Sequence, residues 1–266
     1  GGSPLSIRAN YGTGILSSVF GAELFIMDRG LDTLPTTRPL EGGKEAVRTM
    51  IGRGVPDLDT GLGRRTFEMG RRFVEMMKPY PKVRKYVHLY HPDLQGPMDL
   101  CELLWGSSLF LDIVDEPDLV KEFLDLITET YTRFLRRWHT IAPPGEGATV
   151  HWSLLHRGTI MLRDDSAMNF SPEMYDEFIA PYDSKLLSVF GGGAIHFCGR
   201  GDHYIETMCK IPKMHAIAMS QPHLNNMEVI YKNTVDKGIK LLNFNRKVAE
   251  EALKQGRNFH GHMSCG

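Results

Sequence analysis

Short apolar runs that end in polar, glycine-bearing loops and lead into helix-start signals recur along this chain, and that alternation constrains the fold more than any other feature. Strand, loop and helix in repetition build a parallel sheet, because each helix returns the chain to begin the next strand in the same direction. Seven runs fit, at 5–11, 86–90, 148–154, 191–198, 214–220, 238–244 and 259–264. Helices are expected between them. Residues 67–77 carry apolar side chains at helical spacing. Asp115-Glu116-Pro117 opens a long helix whose buried stripe is Leu119, Phe123, Leu126, Ile127, Phe134 and Trp138. Ser171-Pro172-Glu173 supplies a serine N-cap and a proline in the first turn of another helix, which Pro181 should break or kink. Further helices are expected at 202–210, after Asn225 or Asn226, and at 247–254. Residues 28–63, rich in Gly, Pro, Thr and Asp, read as an inserted loop region.

Composition narrows the function. The 266 residues suit one α/β barrel domain, and 42% hydrophobic content is enough for its core. A formal charge of −1 provides no electrostatic footprint for nucleic acid or an anionic membrane, so a small molecule or a protein is the expected partner. No run approaches the ~18 apolar residues that span a bilayer, and the first residues lack the pattern of a secretory signal, which points to the cytoplasm. Cysteines at 101, 198, 209 and 265 are too dispersed for a disulfide framework and read as reduced thiols.

The run 191–198 ends in His196-Phe197-Cys198, followed by Gly199-Arg200-Gly201. Alternation along a strand puts His196 and Cys198 on one face and Ile195 and Phe197 on the other. Imidazole nitrogen and thiolate sulfur together suit zinc, and a catalytic zinc takes three protein ligands and keeps one position open. Cys265, at the end of the last run and directly before Gly266, repeats the arrangement and is the expected third ligand. His260 and His262 should face away from it. A cysteine is often only a small buried apolar residue, and Cys209 is read that way. For Cys198 the strand end and the glycine turn weigh toward a metal.

Asp164 and Asp165 sit in a second polar cluster. Neighbouring strand residues face opposite ways, so one of the two is expected to enter a pocket, with Asp165 preferred as the group that orients substrate or takes a proton. Equally, the pair can cap local backbone or pair with Arg157 and Arg163. Asp164, Asn10, Tyr11, His156, Arg157 and Gln221 lie at or near strand ends and are the candidates for binding a polar small molecule.

Three stretches carry a resemblance to a known superfamily. They are Gln95-Gly96-Pro97-Met98-Asp99-Leu100 with residues 112–120 behind it, Asp164-Asp165 with residues 171–182, and Ile195-His196-Phe197-Cys198-Gly199. In these the chain resembles the uroporphyrinogen decarboxylase superfamily. The resemblance implies a TIM (β/α)8 barrel occupying residues 1–266 as a single domain, here one strand short and clipped at both ends. The superfamily holds uroporphyrinogen decarboxylase and zinc-dependent methyltransferases, and the latter are similar through a His-x-Cys pair and a distant Cys-Gly, here His196, Cys198 and Cys265. The resemblance thus implies methyl transfer from a corrinoid protein to a thiol, with zinc as cofactor and the corrinoid supplied by a partner. The arginine-rich signature of the decarboxylase branch has no counterpart in residues 1–60. A metal-free decarboxylase with Arg8, Arg157 and Arg163 as carboxylate clamps is the alternative, and a non-catalytic module binding a tetrapyrrole or corrinoid is the third reading.

Overall fold

The computed structural model describes residues 3–26, 30 and 35–266 and divides into two compact units, residues 1–144 and 145–266. In the first, β1 (Leu5–Ile7) leads to α1 (Ile15–Val19), the antiparallel pair β2 (Leu24–Phe25) and β3 (Thr36–Thr37), then α2 (Lys44–Arg53), α3 (Gly63–Met77) and α4 (Pro81–Tyr86). Next come β4 (Val87–Leu89), α5 (Pro97–Trp105), α6 (Leu109–Asp115) and α7 (Pro117–Ile141). β1 and β4 pair in parallel, with Ser6 opposite His88. Prolines open α4, α5 and α7, where a missing amide hydrogen removes no helical bond. The long helix α7 is the packing centre, buried along Leu119, Phe123, Ile127, Tyr131, Phe134 and Trp138 and set against α2, α3, α5 and α6. The expected loop region at 28–63 contains α2, bounded by Gly43 and Gly54. Residues 28, 29 and 31–34 of that region lie outside the described residues.

The second unit begins with a hairpin of β5 (Ala148–His151) and β6 (Leu154–Arg157). It continues through β7 (Ile160–Arg163), α8 (Pro172–Phe178), α9 (Ala180–Val189), β8 (Gly193–Phe197), α10 (Ile205–Met208), β9 (Met214–Met219), α11 (Met227–Asn233), β10 (Lys240–Phe244), α12 (Arg246–Lys254) and β11 (Met263–Cys265). β7 to β11 form one parallel sheet in sequential order. Ser171 caps α8 by accepting the Met174 amide, and the break before α9 falls where Pro181 stands in its first turn. Among the described residues no helix is long and apolar enough to cross a membrane.

On one face of this sheet Met161, Ala194, Ala216, Ala218 and Leu242 make a buried cluster, and Trp152 and Leu154 of the hairpin pack on it. The alanines leave room for that layer. By alternation Ile195, Phe197 and Ile217 turn to the other face, also fully buried.

One expectation is corrected here. The run 148–154 is not a strand of the main sheet. Its chain reverses at Trp152 and Ser153, both with left-handed backbone (φ 49° and 63°), and β7 instead provides the neighbour of β8. Among the described residues the parallel strands lie in a five-stranded and a two-stranded sheet.

Candidate metal and substrate site

Register builds the site. β7 and β8 pair with Arg163 opposite His196, and the ladder extends one step further as the Asp164 amide donates to the His196 carbonyl. Asp165 then opens a 3-10 turn, Asp165–Asn169, at the carboxyl end of β7. Two residues past Arg163, it returns to the face that carries His196. On the other side of β8, Ala218 of β9 is opposite His196, which brings Ser220 level with Cys198.

The outcome is a nitrogen, a sulfur and a carboxylate oxygen within 4.8 Å of one another, from His196, Cys198 and Asp165. His196 Nε2 lies 3.4 Å from Cys198 Sγ and 3.6 Å from Asp165 Oδ1. The Cys198 thiol also donates to Ser220 Oγ at 3.4 Å. His196 is nearly buried, and its imidazole pKa is lowered chiefly by that burial, against the opposing charge of Asp165. Burial likewise pushes the Cys198 thiol up to about 11. The pair thus presents a neutral imidazole and a protonated thiol at neutral pH, and a metal there would displace the thiol proton.

Surrounding groups fix these positions. The Trp152 ring meets the His196 ring edge to face at 5.0 Å, and the Arg163 guanidinium lies 4.8 Å above Trp152. Gly199, with φ 76°, makes the turn after Cys198, and a Cβ there would come within 2.6 Å of the Met168 sulfur. Gln221 Oε1 accepts the Gly199 amide at 2.6 Å. Asn225 Oδ1 accepts the amides of Gly201 and Asp202, while its amide donates to the carbonyls of Gly199 and Gln221. A cleft of about 290 Å3 opens beside His196, lined by Trp152, Ala218, Ser220, Leu242 and Asn243.

Each expected site residue has a definite place. Asp165 stands beside His196. Asp164 points instead into the protein, where Tyr175 donates to it at 3.2 Å, and its carboxyl pKa is raised by burial and by neighbouring Asp183. Gln221 holds the glycine turn. His156 and Arg157, carried back along the antiparallel β6, line a different cavity at the amino-terminal ends of β9 and β10. Asn10 and Tyr11 follow β1 in the first unit, with Asn10 Oδ1 accepting the Gly12 amide. Cys265 ends β11, which β9 and β10 separate from β8 in the sheet, and it is not one of the three clustered groups. Trp152, Ser220 and Asn225 belong to the site without being among the residues expected there. Ser220 has a signal in the sequence: it ends the run after that of Cys198 and is level with it in a parallel sheet.

No protein-family model and no curated protein matches the sequence. Among solved structures, a methyltransferase from Methanosarcina mazei superposes with a TM-score of 0.66 at 17% identity, over 90% of this chain. The chain covers 64% of that structure's length. At that identity, the two share a mixed α/β fold with parallel sheets.

Proposed function

We propose that this protein is a zinc-dependent methyltransferase that passes a methyl group to a small-molecule thiol. The observation that carries the reading is the convergence of His196 Nε2, Cys198 Sγ and the Asp165 carboxylate at the carboxyl ends of adjacent parallel strands. This donor set fits zinc, which accepts imidazole, thiolate and carboxylate together. The fold likeness to a methyltransferase and the sequence resemblance agree with it. A zinc ion held there supplies positive charge that keeps an incoming thiol ionised near pH 7.

Two allocations of the ligands are open to test. In one, His196, Cys198 and Asp165 hold the metal. In the other, Cys265 is the third ligand and Asp165, 3.6 Å from the imidazole, accepts the proton of the thiol. In both, Ser220 orients the Cys198 sulfur, and Trp152 holds the imidazole and shields it from water. The methyl donor would be a methylated corrinoid on a partner protein, as the resemblance implies. The metal-free decarboxylase reading is weaker: Arg8 is engaged by Asp93 at 2.9 Å and by the Tyr90 hydroxyl, and Arg157 faces the other cavity.

Metal analysis of the purified protein tests the proposal. About one zinc per chain is expected, lost in Cys198→Ser and His196→Ala with the fold retained. Asp165→Asn and Cys265→Ser separate the allocations, since only the true third ligand lowers zinc content. Unchanged zinc in Cys198→Ser would overturn the reading.

A further inference from the structure

A second cavity, of about 690 Å3, lies at the end of the second unit's sheet opposite the His196–Cys198 site. It opens at the amino-terminal residues of β9 and β10, Met214 and Lys240, and at the returning end of β6. Its walls are unequal in charge. Arg157, Lys237 and Lys240 contribute cations, His156, His215 and His262 contribute imidazoles, and Glu146 is the one acid in the lining. Neither the Arg157 guanidinium nor the Lys240 ammonium has a carboxylate partner among the described residues, whereas Arg137 and Arg257 do. Leu155, Met214 and Ile239 complete the lining with apolar surface.

The second observation is His156. Its residue is 3% exposed, its Nδ1 lies 3.0 Å from the Arg157 carbonyl, and its Nε2 is buried without a partner. A carbonyl oxygen only accepts, so Nδ1 carries the hydrogen and the neutral ring leaves Nε2 as an acceptor. Burial keeps it neutral, with a pKa lowered to about 4. His262 Nδ1, in the same lining, is likewise buried and unpartnered. A buried nitrogen without a partner is costly unless something at the site supplies its hydrogen bond.

We propose that this cavity is a binding site for a small anionic molecule with an apolar body and a hydroxyl, its carboxylate or phosphate gripped by Arg157 and Lys240 and its hydroxyl donating to His156 Nε2. Arginine offers the planar fork that suits either anion, and lysine adds a point charge. The site is separate from the proposed metal site and does not depend on it.

The probes are inorganic phosphate and 2-hydroxypropane-1,2,3-tricarboxylate, each carrying an O–H, titrated into the full chain while the ring resonances of its histidines are followed by NMR. Saturable shifts of His156 and His215 are expected, with the tighter probe identifying the anion class. Arg157→Gln and Lys240→Gln, both at exposed side chains, should each weaken binding about tenfold or more, the loss of one charge-assisted hydrogen bond. Cys198→Ser should leave the titration unchanged. Absence of saturable shifts for both probes, or undiminished binding in both charge variants, would overturn the proposal. Loss of the shifts in Cys198→Ser would do so as well, since the probes would then be reporting the other site.

Discussion

Burial lowers the imidazole pKa of His156, His196 and His215, and His156 gives the clearest consequence. In the unfolded chain its ring takes a proton near pH 6.5, while in the fold it resists protonation down to about 4. The unfolded state therefore binds more protons throughout that window, and stability falls as pH drops from about 6.5 to about 4, by up to about 3 kcal/mol from this residue. Urea midpoints of the wild type and His156→Leu, compared at both ends of the window, should converge on acidification. A parallel decline in both proteins would assign the acid sensitivity to other groups. Cys198 illustrates the complementary case, a thiol that burial keeps protonated at neutral pH, whose proton the metal of the proposed function would displace. Zinc uptake at neutral pH should therefore release a proton into weakly buffered solution, and Cys198→Ser should abolish that release.

Among the elements, the contact between α3 and α7 is the most exacting. Gly70 lies on the buried side of α3, and a Cβ at that position would stand 2.7 and 2.8 Å from two ring carbons of Trp138. Trp138 is fully buried. Alanine is the better helix former by about 1 kcal/mol, but overpacking a core of this kind costs about 1 to 3 kcal/mol. Gly70→Ala should therefore lower the thermal midpoint, and a rise would show that the helices separate more easily than their packing implies. The β5–β6 hairpin offers the contrasting lesson. Its turn uses left-handed backbone at Trp152 and Ser153, which neither residue type signals, so the run 148–154 reads as continuous in the sequence. The four residues of β7 are hidden for a different reason, since Arg163 and the two aspartates after it give the stretch the character of a polar loop.

For the molecule as a whole, a metal that binds only the native state should stabilise it by mass action. At about a hundredfold excess of free zinc over its dissociation constant the gain is about 2.7 kcal/mol. Calorimetry should show a zinc-dependent rise in melting temperature for the wild type and none for Cys198→Ser. Local chemistry makes much of this architecture legible in advance. The alternation of strands and helices, the buried stripe of α7 and the shared face of His196 and Cys198 arise from periods of 2 and 3.6 residues, and the cap at Ser171 from a bond to an amide three residues on, all without reference to the rest of the chain. The third member of the cluster cannot be found that way. Asp165 reaches His196 because β7 pairs with β8 in one register, Ser220 meets Cys198 because β9 pairs on the other side, and Trp152 covers them because a hairpin folds back over alanines. Those neighbours are chosen by hydrogen bonding and packing between segments remote in sequence, so they exist only once the sheet has formed.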